Sequence, residues 1–269
     1  MEHTSIPAIE TANLNGFPAE MQRADGSWLT LLSPGVPARR VNSLNVFDPR
    51  DDARIEARLD ETRALFAHHD ITFHLRHTPL TPPALTAHVD ARGWLSAGET
   101  DVWTRPVDAA GALDATGIDG DHEALSENDG IGTCSLEDWL AAFIRVGGTR
   151  PETVAPGAVE QLGAALARVA ARRVCLVARG GDAAPAAVAI AVADRDLLGI
   201  YDLAVAPAAR RCGLGARMVD CCLEHGRRFG CRTAWLQVVR ENVPARALYR
   251  QRGFRHAYGY HYRFPPPGG

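Results

Sequence analysis

Three observations in the sequence predict a mixed α/β fold of the α+β type, built from two units. First, 269 residues with 46% hydrophobic content can bury a sizeable core and suffice for one large domain or two small ones. Second, the stretch 108–132 is acidic, rich in glycine and free of arginine, which is the composition of a linker. Third, three β-rich runs separated by short turns follow this stretch, which predicts a β-meander.

The first unit, residues 1–107, alternates strand and helix patterns. We expect strands in "SWLTLLS", "ARRVNSLNVF" and "ITFHLR", and helices in "DDARIEARLDETRALFAHH" and "PPALTAHVDARGW". Acidic residues open the first of these helices, and Gly93 closes the second. The pattern predicts a small α+β unit.

The second unit, residues 133–269, begins with helices. Ser135 can cap a helix over "LEDWLAAFIRV", and Pro156 lies near the start of another, "PGAVEQLGAALARVAARR". The meander strands are "VCLVAR", "AAVAIAVA" and "LLGIYDLAV". A helix after residue 213, a strand over 233–239, a short helix over 244–251 and a final aromatic strand complete the unit.

Charge and composition give no sign of a nucleic acid or membrane partner. The formal net charge is −3, so the 29 basic residues leave no surplus for nucleic acid. The apolar runs are far shorter than the roughly 20 residues of a membrane span, and "MEHTSIPAIETANLNG" lacks the features of a signal peptide. Six cysteines without C-x-x-C spacing are typical of reduced thiols, so we expect a cytoplasmic protein.

We also expect no metal site. Four histidines fall close together in the first unit: His68, His69, His74 and His77. Two of them end a predicted helix, where histidine commonly interacts with the helix dipole at the surface. No cysteine or carboxylate spacing completes a set of metal ligands.

The segment "VAPAARRCGLGARM", residues 205–218, joins the third meander strand to a helix. Pro207 stops the strand, and Gly213 and Gly215 lie at the start of the helix. Unpaired backbone N–H groups and the positive end of the helix dipole meet there, and glycine allows a close approach of an anion. The two glycines also suit a tight strand-to-helix turn, and the spacing is neither a Walker loop nor a dinucleotide fingerprint.

Together with a second block, this segment resembles the GNAT superfamily of acyl-CoA-dependent N-acetyltransferases. The first block, "LAVAPAARRCGLGARM", meets the family's Arg/Gln-x-x-Gly-x-Gly/Ala pattern through Arg210, Gly213 and Gly215. The second, "ENVPARALYRQRGF", matches Asn-x-x-Ala-x-x-x-Tyr-x-x-x-Gly-Phe and includes Asn242 and Tyr249. The resemblance implies a GNAT fold for residues 133–269, with a mixed, splayed central sheet flanked by helices.

The first unit, with "RRVNS" at 39–43, is similar to the degenerate amino-terminal half of bacterial two-part GNAT proteins. Both "HVDARGWLSAGETDVW" and "LYRQRGFRHAYGYHYR" place Arg-Gly-aromatic after a helix and before a strand, which suggests a repeat. Because glycine is the common helix terminator, chance explains this likeness equally well. Residues 1–107 contain no counterpart of the Gly-x-Gly loop, so we expect the second unit alone to bind coenzyme A.

The resemblance also implies roles for individual residues. Acetyl-CoA would be the cosubstrate, with its pyrophosphate on the loop amides of 211–216, its pantetheine arm along the strand "LAV", and Asn242 in contact with the arm. Tyr249 matches the family's proton donor, and a phenol near pKa 10 suits protonation of a thiolate; a tyrosine packed in the core is the alternative. The implied cofactor-binding residues are Leu203, Ala204, Val205, Arg210, Arg211, Cys212, Gly213, Leu214, Gly215, Ala216 and Asn242.

The general base does not follow from the family pattern. The branch that acetylates ribosomal-protein N-termini carries glutamate five residues before the asparagine, but Gln237 stands there and cannot accept a proton at neutral pH. Asp202 precedes "LAV" and is our catalytic candidate, although a solvated strand residue would look the same; Glu241 and a water molecule remain open. Cys212 replaces the basic residue that many family members carry before the first glycine.

The sequence thus predicts direct attack of a primary amine on acetyl-CoA. The acceptor amine is open among small metabolites, antibiotics, peptide N-termini and lysine side chains, and a homodimer is compatible with the sequence. A catalytically idle acyl-CoA-binding or sensing protein is the rival hypothesis, because Gln237 and Cys212 depart from the pattern.

Overall fold

The computed structural model describes residues 4–107, 130–147, 157–181 and 183–267. Within them the α-helices are α1 Ile6–Gly16, α2 Ile55–His68, α3 Pro83–Ala91, α4 Leu136–Gly147, α5 Ala158–Ala167, α6 Leu214–Arg228 and α7 Val243–Gln251. The strands are β1 Met21–Asp25, β2 Trp28–Leu32, β3 Ser43–Val46, β4 Leu75–His77, β5 Leu95–Pro106, β6 Ile131–Cys134, β7 Arg172–Arg179, β8 Pro185–Asp194, β9 Leu197–Val205, β10 Thr233–Val239 and β11 Arg255–Phe264.

The eleven strands form one sheet in the order β1-β2-β3-β4-β11-β5-β10-β9-β8-β7-β6. Most neighbours are antiparallel, whereas β3 pairs with β4 and β9 pairs with β10 in parallel. The predicted meander is present as β7, β8 and β9, each antiparallel to the next. The predicted mixed sheet flanked by helices is therefore confirmed.

The two predicted units exchange strands at the centre of this sheet. Strand β11, at the end of the chain, lies between β4 and β5 of the first unit and pairs antiparallel with both. Strand β5 in turn lies between β10 and β11 and pairs Thr233 with Pro106 at one end of the register. The division at residues 107 and 133 stays a prediction, and the hydrogen bonding of the sheet crosses it.

The sheet separates two hydrophobic cores in its second half. Helices α1, α4 and α5 cover one face, where Trp139 and Trp235 are fully buried. Helices α6 and α7 cover the other face, with Met218 and Tyr249. A third core lies in the first unit, where α2 and α3 pack on β2, β3 and β4. Helix α1 comes from the first unit by sequence and nevertheless packs on β8 and β9.

Most of the predicted elements are present, with three informative differences. Helix α1 was not predicted, because "IPAIETANLNG" combines asparagine and glycine with a weak apolar pattern; Ser5 caps it by accepting from the Ala8 amide at 3.4 Å. The predicted strand "ARRVNSLNVF" begins only at Ser43, because Asn42 accepts from the Ser33 amide at 2.7 Å and organises a loop. Most of the predicted linker, 108–129, lies outside the described residues, and β6 begins at Ile131 within its last two positions.

Candidate active site

Strands β9 and β10 separate part of the way along their parallel pairing. Their register runs from Leu197 and Thr233 to Ile200 and Leu236 and pairs no residue beyond that point. The segment 203–205 of β9 remains paired with β8 on its other side, where Ala204 lies opposite Val188. The backbone edge of β9 that faces β10 is therefore free over the residues predicted to hold a pantetheine arm.

A β-bulge produces this separation. On β8 Ala189 is the only residue between Val188 and Ile190, whereas two residues of β9, Asp202 and Leu203, lie between the paired Tyr201 and Ala204. The extra residue is accommodated at Asp202, whose backbone is left-handed with φ 47°. Aspartate tolerates this conformation better than most residues. The bulge also rotates the Asp202 side chain relative to a regular strand.

The Gly-x-Gly loop, defined here as residues 206–215, connects β9 to α6 and includes the first two residues of this helix. A 3-10 turn over Pro207–Ala209 leads to Arg211 and Gly213, which have left-handed φ of 66° and 80°. Among the described residues, no group accepts a hydrogen bond from the amides of residues 211–215, whereas the Ala216 amide donates to the Gly213 carbonyl at 3.0 Å. Five donors and the positive end of the α6 dipole thus lie at one place, which favours an anion.

The two glycines of the loop have different structural roles. A Cβ atom at Gly213 would meet nothing within 4 Å, so this position is open to solvent. A Cβ atom at Gly215 would lie 3.2 Å from Leu248 and 3.6 Å from Val205. Gly213 therefore keeps the approach to the amides free, while Gly215 lets α6 pack against α7 and the end of β9.

The side chains of the loop add positive charge at its rim. Arg210 and Arg211 are exposed, and Arg210 Nε donates to the Val205 carbonyl at 3.1 Å, which fixes its guanidinium beside the end of β9. The exposed thiol of Cys212 donates to the Ala209 carbonyl at 2.9 Å. Cys212 thus supports the turn instead of supplying the charge that a basic residue would bring.

Helix α7 carries the other two predicted residues. Asn242 caps this helix, and its Oδ1 accepts from the Ala245 amide at 3.2 Å. Tyr249 lies two turns further along, is 7% exposed and packs edge-on against Phe254 with ring centroids 6.0 Å apart. Tyr249 belongs to the hydrophobic core on the α6 and α7 side of the sheet, together with Leu214 at the start of α6.

Comparison with known proteins identifies this arrangement. Residues 137–254 match the family model described as "Acetyltransferase (GNAT) family". This part of the chain belongs to the GNAT family. The match includes the splayed strands, the Gly-x-Gly loop and α7, so the resemblance predicted from the two sequence blocks is confirmed. Acyl transfer is the activity of the family. No curated protein matches the chain.

Solved structures extend the GNAT fold to the whole chain. A GCN5-related N-acetyltransferase from Kribbella flavida superposes with a TM-score of 0.69 at 20% identity, covering 99% of this chain and 98% of that one. A tandem GNAT protein from the clavulanic acid biosynthesis pathway gives 0.63 at 15% identity, covering 95% and 86%. A functionally unknown conserved protein from Staphylococcus epidermidis gives 0.63 at 11% identity, covering 92% and 94%. At these identities the likeness concerns the fold.

The Asp202 carboxylate at the β9 bulge pairs with Arg40, which belongs to residues 1–107. Arg40 Nη2 lies 3.5 Å from both of its oxygens, and the Asp202 side chain is 13% exposed. The same guanidinium stacks on the Phe17 ring at 3.7 Å from the centroid. Glu241, the other acidic candidate, is exposed, and its carbonyl accepts from the Val243 amide at 2.8 Å in the turn before α7.

Gln237 is the first residue of β10 beyond the point of separation, and both ends of its amide are occupied. Its Oε1 accepts from the Tyr260 hydroxyl at 2.6 Å, and its Nε2 donates to Asn13 Oδ1 at 2.9 Å. Sequence reasoning missed Asn13, Arg40 and Tyr260 as neighbours of the site. The alternation of aromatic residues in β11 was a signal for Tyr260, whereas the other two lie more than 150 positions from their partners and left no local pattern.

A buried charge pair lies close to Gln237, where α1, β4 and β11 meet. Arg76 donates from Nε and Nη2 to the two oxygens of Glu10 at 2.9 and 3.0 Å, and the side chains are 1% and 4% exposed. The Tyr258 hydroxyl donates to Glu10 at 2.6 Å, and the Arg76 guanidinium covers the Tyr260 ring at 3.4 Å. Burial and the adjacent Glu10 carboxylate raise the pKa of Tyr258 well above its usual value, so it stays a neutral donor.

The histidines of the first unit do not converge on one point. His68 and His69 contact each other at the end of α2, while His77 stacks on His261 of β11 with centroids 4.7 Å apart. His77 also has its Nε2 within 2.9 Å of Thr86 Oγ1. No group of three histidine, cysteine or carboxylate residues within the described ranges could hold a metal ion. Within these ranges no helix combines the length and apolar character that a membrane crossing requires.

Proposed function

We propose that this protein transfers an acetyl group from acetyl-CoA to a primary amine by direct attack. The observation that supports this most is the set of five amides at 211–215 without an acceptor, next to the free edge of β9. A pyrophosphate group supplies the oxygens that such amides bind, and Arg210 and Arg211 add charge at the rim. The pantetheine arm would pair with the backbone of 203–205, with the Asn242 side chain beside it.

The reaction requires one bond to form and one to break. The neutral amine attacks the thioester carbonyl carbon, whose oxygen a main-chain N–H of the splayed β9 polarises. The C–N bond forms, the C–S bond breaks, and the pair of electrons leaves on the sulfur of coenzyme A. Tyr249 is the proposed donor of a proton to this thiolate, because its phenol lies on the same helix face as Asn242, two turns along.

The proton released by the amine needs an acceptor. Asp202 is the only acidic residue of β9, lies in its bulge and has its position fixed by Arg40. We propose that Asp202 accepts this proton directly or through a water molecule. Gln237 takes no part in proton transfer, because an amide is not a base at neutral pH and its two ends already bind Tyr260 and Asn13.

We propose that the first unit shapes the acceptor side rather than binding coenzyme A. Arg40 from this unit reaches Asp202, and Asn13 reaches Gln237, so two of its side chains contact the residues nearest the separation of β9 and β10. The predicted location is the cytoplasm, which the six free thiols support. The acceptor would be recognised between the units.

A catalytically idle protein that binds or senses acyl-CoA is the second candidate. The sensor function is favoured by Gln237, which stands at the position where a carboxylate base would be expected. Both ends of its amide form hydrogen bonds, with Tyr260 and with Asn13. The two functions differ in one measurement. The full chain is incubated with acetyl-CoA and a panel of amines that includes small metabolites, aminoglycosides, peptides with free N-termini and lysine peptides, and release of free thiol is followed.

An acetyltransferase releases thiol in proportion to one class of amine and forms the N-acetyl product in equal amount. A sensor binds coenzyme A in calorimetry and releases no thiol above the background with any amine. Absence of both binding and release would reject both functions.

A further inference from the structure

A pocket that the proposed reaction does not use lies beside α7, between this helix and strands β5 and β11. Its volume is about 390 Å3. We call it the arginine pocket. Its lining residues are Trp103, Arg246, Arg250, Phe254, Arg255 and His256.

The floor of the arginine pocket is an indole ring under two cations. The guanidinium carbons of Arg250 and Arg246 lie 5.6 and 5.9 Å from the centroid of the Trp103 ring. Trp103 itself is 3% exposed, so its ring is held in place by the surrounding residues and forms a fixed floor. Contact of this kind restrains the two long side chains before any ligand arrives, which lowers the entropy lost on binding.

The charge of the pocket is positive. The buried Asp101 carboxylate pairs with Arg246 at 3.4 Å and with Arg240 at 3.2 Å, so its single charge is already shared between two arginines. Within the described ranges, Arg250 and Arg255 have no carboxylate within ion-pair distance, and both are exposed at the pocket. Among the described residues, these two guanidinium groups therefore have no counter-charge.

Two buried donors of the pocket have no acceptor in the described part of the chain. They are Trp103 Nε1 and Arg246 Nε, each shielded from solvent. A buried polar group without a hydrogen bond is costly, by about 1–3 kcal/mol. Both groups belong to residues that line the pocket, so this part of its wall contains two donors that the described residues leave without an acceptor.

The arginine pocket is separate from the Gly-x-Gly loop. Leu248 of α7 faces the loop region, since a Cβ atom at Gly215 would lie 3.2 Å from its side chain. Successive residues of an α-helix are rotated by about 100°, so Arg246 and Arg250, each two residues from Leu248, point to the opposite side of α7. A ligand in this pocket and a pyrophosphate on the loop would flank the same helix from two sides.

We propose that the arginine pocket binds the phosphate group of a small phosphorylated metabolite. A phosphate dianion matches the charges of the exposed Arg250 and Arg255 guanidinium groups, and its oxygens accept from arginine forks. A single carboxylate would balance one of these charges. The bound phosphate would fix α7, the helix that carries Asn242 and Tyr249, against β5.

The test uses inorganic phosphate as the probe, titrated into the full chain by calorimetry and by 31P line broadening, with chloride at matched ionic strength as the reference. Four proteins are compared: wild type, Arg250→Gln, Arg232→Gln and Gly213→Asp. Arg232 is an exposed arginine just before β10, away from the pocket, and serves as the matched control. Gly213→Asp places a carboxylate at the loop amides and so separates the two anion sites.

We expect the site in the arginine pocket to bind phosphate alike in wild type, Arg232→Gln and Gly213→Asp and about tenfold more weakly in Arg250→Gln, the loss expected for a charged hydrogen bond. Binding that disappears in Gly213→Asp but persists in Arg250→Gln would assign the phosphate to the loop and overturn the proposal. Wild type that binds phosphate no better than chloride would overturn it as well.

Coenzyme A carries a phosphate of its own, on the 3′ position of its ribose, so its affinity is compared with that of 3′-dephospho-CoA. If Arg250→Gln weakens coenzyme A and leaves 3′-dephospho-CoA unchanged, the pocket serves the cosubstrate and the proposal of a separate metabolite fails. We expect Arg250→Gln to bind coenzyme A as tightly as wild type does, and likewise to bind 3′-dephospho-CoA as tightly as wild type does.

Discussion

The Tyr260 hydroxyl donates to Gln237 Oε1 at 2.6 Å and joins β11 to β10, the strand from which β9 separates. Gln237 Nε2 continues the connection to Asn13 of α1 at 2.9 Å. Three segments far apart in sequence are thus held together by one amide. This amide occupies the first position of β10 at which β9 no longer pairs.

Replacing Gln237 by leucine should lower the free energy of unfolding by about 2 kcal/mol, because the Tyr260 hydroxyl and the Asn13 amide would both lose a partner in a part-buried site. Urea denaturation of the full chain measures this. Gln237→Glu is the matched control, since a carboxylate still accepts from Tyr260 and the Asn13 amide can turn to donate its Nδ2. Equal stability of the leucine and wild-type proteins would contradict a structural role for the amide.

Removing only one charge of the buried pair of Glu10 and Arg76 should lower the free energy of unfolding strongly. In Glu10→Leu the Arg76 charge remains buried without a counter-ion, and we expect a loss of about 3–5 kcal/mol in the free energy of unfolding. The double variant Glu10→Leu with Arg76→Met removes both charges and should recover most of this loss. A double variant as unstable as the single one would show that packing, rather than the unpaired charge, explains the effect.

Local patterns sufficed to predict most helices and strands of the second unit. The strand over 233–239 has the bounds that the sequence predicts, because its alternation and its flanking turns are encoded within a few residues. Helix α1 escaped prediction because its stability comes from contact with β8 and β9, which are far away in sequence. The exchange of β5 and β11 likewise depends on pairing between distant strands and has no local sequence signal.

The same distinction applies to the candidate site. The Gly-x-Gly loop and the turn with Asn242 could be located from spacing, since glycine acts through its own backbone and the Asn242 side chain accepts from an amide three residues away. The ion pair of Asp202 with Arg40 could not, because it spans 162 positions. Neither could the arginine pocket, whose Trp103 and Arg250 become neighbours only when β5 enters the second half of the sheet.

The stability of the protein should fall between neutral and mildly acidic pH because of His77. Burial, with His261 and the positive charge of Arg263 nearby, lowers the pKa of His77 from 6.5 to about 4. Below pH 6.5 the unfolded chain takes up a proton that the folded chain does not, so folding loses free energy as the pH falls towards 4. Above pH 6.5 this contribution is fully present.

Urea denaturation of wild type and His77→Gln at about pH 7 and pH 5 measures the effect, and the wild type should lose about 1 kcal/mol more than the variant, after allowance for the part of the ring that solvent screens. His68→Gln, at an exposed position of α2, is the control and should lose as much as wild type. Identical losses in His77→Gln and wild type would contradict the assignment.

Gly213→Asp should abolish binding of coenzyme A. The new carboxylate would lie at the free amides of 211–215 and repel the phosphates, and its side chain would block their approach. Gly230→Asp is a closely matched control, because Gly230 also has a left-handed backbone, with φ 75° against 80° at Gly213, and open space around its Cβ position. Backbone strain is therefore similar in the two variants.

Calorimetry with coenzyme A should give wild-type affinity for Gly230→Asp and no measurable binding for Gly213→Asp. Undiminished affinity in a folded Gly213→Asp protein would remove the loop from the cofactor site. Loss of affinity in both variants would indicate that strain, rather than charge at the loop, causes the effect.

Tyr249→Phe should lower kcat for acetyl transfer by about 100-fold while leaving the affinity for acetyl-CoA nearly unchanged, because a proton given to the leaving thiolate acts in the transition state alone. Phenylalanine keeps the ring, so its packing against Phe254 at 6.0 Å is retained. The measurement is single-turnover acetylation of the amine identified in the thiol-release experiment, since slow product release could hide a change in the chemical step.

Tyr262→Phe is the control for the loss of a buried hydroxyl. Tyr262 is 6% exposed, and its hydroxyl lies within 3.5 Å of Arg76, where β11 pairs with β4. No step of the proposed reaction takes place there. A general effect of hydroxyl removal on stability would slow both variants, whereas the acid role slows Tyr249→Phe alone. If Tyr249→Phe reacts at the wild-type single-turnover rate, Tyr249 is a core tyrosine, and the thiolate of coenzyme A takes its proton from solvent.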